Sequence, residues 1–169
     1  MENEVIEMVD IVDEHDVVIS TVSRHEMRQN RLRHRAVFIA VMDGAGRLLV
    51  HRRSPHKDVW PGWCDIAVGG VVGAGESYLE AAHRELAEEV GVSTATLEEL
   101  VLGESRPYDD DQVSLMARCY VVTSQGPFTF DDGEVVEAWW VHRDGLNDLL
   151  RRERFLPDSL ALLLPYIDF

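Results

Sequence analysis

A glycine-rich run that opens directly into an acidic helix constrains this 169-residue chain more than any other stretch. From Gly69 to Val92 it reads GGVVGAGESYLEAAHRELAEEVGV. Ser77 to Val90 contains neither glycine nor proline, and Gly91 follows where a helix needs a left-handed cap, so a helix is expected there. Leu79, Ala82, Leu86 and Val90 predict its apolar stripe, and Arg84, Glu85, Glu88 and Glu89 fall on the other side. Three carboxylates within two turns repel one another by about 0.2–0.5 kcal/mol per pair, near the helix end where the dipole already disfavours them. A divalent cation turns that penalty into attraction, and oxygen-only ligands select Mg²⁺ or Mn²⁺ over zinc. A solvated acidic face is the commoner use of such a helix. The approach favours a metal site here, because Gly69, Gly70, Gly73 and Gly75 let backbone come close to a metal or a phosphate.

These residues also carry a resemblance. Gly70, five residues, Glu76, seven residues and then Arg84-Glu85-Leu86-Ala87-Glu88-Glu89-Val90-Gly91-Val92 match every specified position of the Nudix box, G-x5-E-x7-R-E-U-x-E-E-x-G-U with U aliphatic. The box occupies residues 70–92 of a chain read as one domain over 1–169, with an N-terminal hairpin extension over about 5–30. The hairpin VDIVDEHDVVI, then RLRHRAV, LLVHRR and PGWCDIAVGG, resemble the isopentenyl-diphosphate-isomerase-like branch of Nudix proteins. The resemblance implies an α/β/α sandwich around a mixed sheet and a Mg²⁺-dependent hydrolase of diphosphate linkages, with Mn²⁺ as a substitute. It implies metal ligation by the Gly69 carbonyl, Glu85 and Glu89. Glu88 is then a further ligand or the group that activates water, Arg84 orients a box glutamate in the catalytic set, and Glu76 ties loop to helix. A further acidic ligand is expected from Asp109, Asp110, Asp111, Glu134 or Glu137.

The elements along the chain agree with that class. Two apolar runs around Asp13–Asp16 predict a hairpin over Glu7–Val22, and Ser23 to Glu26 has capping-box spacing for a short helix ending near Asn30. Strands are expected over Ala36–Met42, Arg47–Arg53, Trp63–Val68, Leu97–Tyr108, Val113–Thr123 and Val135–Val141. Helices are expected over Asp144–Arg154 and after a cap at Asp158 or Ser159, with Leu160, Leu163 and Leu164 on the apolar face of the second. Strands grouped around one helix, without βαβ alternation, predict an α/β (α+β) fold with a central mixed sheet and C-terminal helices.

A net charge of −15 argues against nucleic acid or an acidic membrane as partner. A small-molecule diphosphate, nucleotide-derived, remains as the expected partner, and it needs local cations. Residues 24–35, RHEMRQNRLRHR, read equally well as a phosphate-binding rim or as a solvated basic stretch. Arg35, Arg52 and Arg53 are the substrate-binding candidates, with Trp60 and Tyr108 placed beside loops to stack on a base. Cys64 and Cys119 are too few for a disulfide framework and point to a reducing, cytoplasmic setting. The hairpin has two uses open to it: pairing with a second subunit in a homodimer, or covering its own sheet.

Two other functions compete. Isopentenyl-diphosphate isomerases carry a cysteine shortly before the glycine loop, followed by a Gly-His pair. Asp65 to Gly70 reads DIAVGG, and Cys64 lies too early, although His34 matches one of their metal histidines. The third reading is a nucleotide-binding module without turnover.

Overall fold

The computed structural model describes residues 5–169. The first four residues of the acidic N-terminal segment lie outside it. The chain opens with a hairpin, β1 (Met8–Val12) and β2 (Val18–Ser23), closed by Asp13, whose carboxylate accepts from the amides of His15 and Val17 at 2.9 and 3.0 Å. Ser23 then caps α1 (Arg24–Gln29) by accepting from the Glu26 amide. There follow β3 (His34–Met42), β4 (Leu48–Arg53), β5 (Cys64–Asp65), β6 (Val68–Val71) and α2 (Tyr78–Val90). The second half holds β7 (Glu98–Glu99), β8 (Arg106–Asp109), β9 (Ser114–Thr123), β10 (Val135–Val141), α3 (Arg143–Arg152) and α4 (Pro157–Leu163).

Strand β3 organises the sheet because both of its edges are taken. It runs parallel to β9 from His34↔Leu115 to Met42↔Thr123 and antiparallel to β6 from Ala36↔Val71 to Ile39↔Val68. Such a strand is buried on both faces, and its apolar run divides by alternation. Ala36, Phe38 and Ala40 pack with Leu146 of α3 and Leu162 and Leu163 of α4. Val37, Ile39 and Val41 pack with Ala81, Ala82, Leu86 and Val90 of α2. Each fully buried Val, Ile or Phe contributes about 1.5–3 kcal/mol. Helices therefore cover both faces of one mixed sheet, the α/β/α layering expected.

Five expectations are corrected. Gly69 and Gly70 do not begin a loop; they are strand residues of β6, opposite Phe38 and Val37. Trp63–Val68 is not one strand, because the chain jogs between β5 and β6, where Asp65 accepts from the Ala67 amide at 2.9 Å. Leu97–Tyr108 is likewise broken into β7 and β8, with Gly103 at φ 72° between them. Neither Asp158 nor Ser159 caps α4; both lie buried inside it, after Leu156 at the cap and Pro157 in the first turn. On α2, Leu79 is exposed and Ala81 takes its place in the core, while Ser77–Glu80 forms a capping box and Gly91 closes the helix at φ 73°.

Candidate active site

Packing α2 against β6 turns two of its carboxylates inward. Glu85 and Glu89 are 8% and 4% exposed, whereas Glu88, between them, faces solvent. The approach is possible only because position 70 has no side chain: a Cβ there would stand 2.5 Å from Glu85 Oε1. At Gly69 a Cβ would stand 2.0 Å from the Val37 carbonyl oxygen. Gly69 thus serves close packing within the sheet and Gly70 the approach of the Glu85 carboxylate from α2, and neither turns the chain.

Arg84 sits at the centre of this surface. Its Nε and Nη2 donate to the two oxygens of Glu76 at 2.8 and 2.9 Å, a bidentate pair. Nη1 donates to Glu85 Oε1 at 2.7 Å and to Glu88 Oε2 at 3.3 Å, and Nη2 also reaches the Val71 carbonyl at 3.1 Å. Glu76 in turn accepts from the Gly73 amide at 2.9 Å, which fastens the loop to the helix. The hydrogen bonds from Arg84 hold the Glu76 carboxyl below its usual range. Glu85 goes the other way: burial pushes it up, only partly offset by Arg84. Burial and the neighbouring Glu85 push Glu89 well up. Among the described residues the Glu89 carboxylate has neither a hydrogen bond nor an ion pair. A buried carboxylate beside a second one, with no hydrogen-bond donor of its own, is costly, and a cation shared by the two relieves that cost. The donor set therefore fits a hard divalent ion, although among the described residues no three His, Cys, Asp or Glu side chains already converge as a finished cluster.

Two connected cavities meet here. The outer one is lined by Gly73, Gly75, Glu76, Glu80, Arg84, Glu85, Glu88, Glu89 and Asp132. The inner one, of about 400 Å³, is lined by Arg28, His34, Phe38, Arg53, Trp60 and Asp158 among others. Both include Glu7, Arg24, Lys57, Gly69, Gly70 and Glu134. Lys57, the chain's only lysine, forms an ion pair with Glu134. Burial pushes the Glu134 carboxyl up, but the hydrogen bond and charge of Lys57 outweigh it and leave the net shift downward.

Of the substrate-binding candidates, Arg53 and Trp60 line the inner cavity. Arg35, Arg52 and Tyr108 line neither cavity. Arg35 is turned to Asp16, with Nε on Oδ1 at 2.7 Å, and Arg52 pairs with Glu137 and Glu153 at 3.0 and 3.3 Å. The Tyr108 hydroxyl donates to Asp110 at 2.9 Å. Of the acidic candidates outside the box only Glu134 reaches the site. Asp109 faces Arg31 and Arg33, and Asp110 closes its own turn by accepting from the Gln112 and Val113 amides. Arg24 and Arg28 were legible only as members of a basic stretch; their convergence with Lys57 on one cavity is tertiary. His34 is buried, bonded through Nδ1 to the Leu32 carbonyl at 3.0 Å and pushed down to about 4 by burial. Cys64 is buried in the core on the α3–α4 side and lines neither cavity.

Comparison with known proteins places this geometry. The NUDIX domain family matches residues 32–162. A Nudix hydrolase of Yersinia pestis, described as uncharacterized, is 42% identical over 159 residues, covering 94% of this chain and 85% of its own. YfcD of Escherichia coli K12, described in the same way, is 40% identical, covering 93% and 84%. The crystal structure of DR0079 from Deinococcus radiodurans superposes with a TM-score of 0.79 at 27% identity, covering 95% of this chain and 99% of that one.

Proposed function

Since the chain belongs to the Nudix hydrolase family, in which a divalent metal, usually Mg²⁺, assists hydrolysis of nucleoside-diphosphate-linked substrates, we propose that it is a Mg²⁺-dependent pyrophosphohydrolase. Its substrate is a nucleoside diphosphate joined to another group, and Mn²⁺ substitutes for Mg²⁺. The observation that carries this reading is the buried Glu85–Glu89 pair, with Glu85 against Gly70 and the Glu89 side chain unpartnered among the described residues. Glu85, Glu89 and the Gly69 carbonyl would hold the ion, with Glu88 or Glu134 available as a further ligand. When bound, the ion supplies charge neutralisation on the diphosphate and a more acidic water.

The chain's own residues do the rest. Glu88 faces solvent and is steered by Arg84 at 3.3 Å, so it receives the proton as the water oxygen bonds to phosphorus and the anhydride P–O bond breaks. Arg84 is a positioning residue, since its donors are engaged by Glu76, Glu85, Glu88 and Val71. Hydrolysis of a diphosphate library should require Mg²⁺ and fall about 10³-fold, or ~4 kcal/mol of barrier, in Glu85→Gln and Glu89→Gln. Unchanged activity in both variants sinks the proposal.

The isomerase alternative keeps only His34, and with Cys64 in the core no thiol faces the substrate space; isopentenyl diphosphate should be returned unisomerised. A non-catalytic module would bind nucleotides yet hydrolyse no member of the library. A homodimer would use β2, which among the described residues pairs only with β1 and leaves Val18 and Ile19 exposed, and light scattering that finds a monomer at high concentration removes that assembly.

A further inference from the structure

The inner cavity holds cations that the reaction at the box does not use. Arg24, Arg28 and Arg53 all line it, and the Nε of each is buried with no acceptor. Arg24 has Nη1 on Glu7 at 3.0 Å and Arg53 has Nη2 on the Val59 carbonyl at 3.0 Å. The Arg28 side chain has neither a hydrogen bond nor an ion pair among the described residues. Asp58 and Asp158 act on it only across space. Burial and the charges of Arg24 and Arg53 pull the Arg28 guanidinium down to about 10, the direction expected of a cation lacking its counter-ion. Asp158, itself pushed up to about 7 by burial and Asp65, supplies less than a full negative charge at neutral pH.

We propose that Arg24, Arg28 and Arg53 form a second anion site, which takes a phosphoryl group carried on the organic part of the substrate. Three guanidiniums of fixed fork geometry match a dianion with three equivalent oxygens better than they match a planar carboxylate. The site is distinct from the seat of the diphosphate, because Arg28 and Arg53 line only the inner cavity, while Glu85, Glu88 and Glu89 line only the outer one. Lys57, Gly69 and Gly70 line both, so one extended substrate spans them. At 400 Å³ the inner space accommodates a group of nucleoside size. Trp60 adds a second mark of a built site: it lines the cavity at φ 46°, a left-handed conformation that a bulky residue holds only under constraint. The substrate class is therefore a diphosphate ester bearing a third, separate phosphate.

The direction in which substrate lies rests on the hydrolase reading, whereas the anion site does not, so binding is measured without metal. Calorimetry on the full chain compares inorganic phosphate, adenosine 5′-monophosphate and adenosine 3′,5′-bisphosphate. The bisphosphate should bind at least tenfold more tightly than either of the others. Arg28→Met should erase that preference and Arg28→Lys retain part of it, with thermal melts showing both variants folded. Glu89→Gln should leave it intact. Equal affinity for bisphosphate and monophosphate overturns the proposal. So does inorganic phosphate binding as tightly as the bisphosphate, which would assign the site to the free ion. In hydrolysis, an equal loss in Arg28→Met on diphosphates with and without the extra phosphate would hand the guanidiniums to the diphosphate itself. Absence of hydrolysis with the binding preference intact defeats the hydrolase reading alone.

Discussion

The two cavities leave groups of opposite charge without partners across the same pair of glycines, although carboxylates line both. On the outer face carboxylates outnumber cations: Glu76, Glu85 and Glu88 share Arg84, and Glu89 is left over. In the inner cavity three guanidiniums crowd together, and one of them has no partner among the described residues. Each region is incomplete in the opposite sense, one lacking a cation and the other an anion. A metal diphosphate that carries a further phosphate complements both, which neither a bare cation nor a neutral ligand does. In a chain of net charge −15 the inner cluster is not explained by overall composition. Local placement of charge, not the total, sets what the protein can hold.

The contrast is sharpened most strongly by Asp158→Asn. The folded carboxyl is raised from 3.8 to about 7, so ionising it penalises the folded state. The penalty is absent below about pH 4, grows as pH rises through the interval and is complete above about 7, where it reaches at most ~4 kcal/mol. Asparagine removes it while keeping an acceptor for the Ser159 amide. Urea unfolding should therefore find the variant more stable than the wild type at pH 8, with the gap closing toward pH 4. The same substitution strips a negative charge from the neighbourhood of Arg28 and should tighten phosphate binding. Equal stabilisation at both ends of the pH range would show that packing, not charge, is responsible.

Arg84→Met attacks the other side of the comparison. It leaves three carboxylates without their shared guanidinium, and since that side chain is 35% exposed the expected cost is about 2 kcal/mol rather than the figure for a fully buried pair. Hydrolysis should fall about 10–100-fold, mainly in kcat, because Glu85 and Glu88 lose their orientation. Arg84→Lys should not restore it, as an ammonium cannot hold both oxygens of Glu76 at once. Phosphate binding in the inner cavity should be unaffected. A loss of that binding would show that the two regions are one electrostatic unit.

What was legible in the chain follows the range of the interactions. The ends of α2 could be read because local causes suffice to mark them: Ser77 and Glu80 are three residues apart, and the positive φ of Gly91 alone calls for glycine, although the close approach of Thr129 there was not legible. The box glutamates were legible as a spacing. Their burial was not, because it depends on a glycine fifteen residues earlier in a neighbouring strand. For the same reason Gly69 and Gly70 looked like loop residues, since the pairing of β6 with β3 spans some thirty residues of chain. The inner cluster was least legible of all: Arg24 and Arg28 come from a short helix, Arg53 from the end of β4, and only the fold makes them neighbours. Arg35 and Arg52 carry the same chemistry in nearby positions, yet both are neutralised by partners distant in sequence.

The smallest change in stability is expected from Gly70→Ala, at the junction of the two regions. Its Cβ would meet Glu85 Oε1 and Oε2 at 2.5 and 2.8 Å, the far end of a flexible side chain, so the carboxylate yields and the fold loses no more than about 1 kcal/mol. The displaced oxygens are the ones proposed to hold the ion, so Mg²⁺-dependent hydrolysis should drop about tenfold or more while metal-free phosphate binding stays unchanged. Glycine 69 provides the control, since a Cβ there would strike the backbone oxygen of Val37 and must shift the strand itself. Gly69→Ala should lower thermal stability together with both activities. If Gly70→Ala behaved in the same way, the close approach of Glu85 would belong to the packing of the sheet and not to the site.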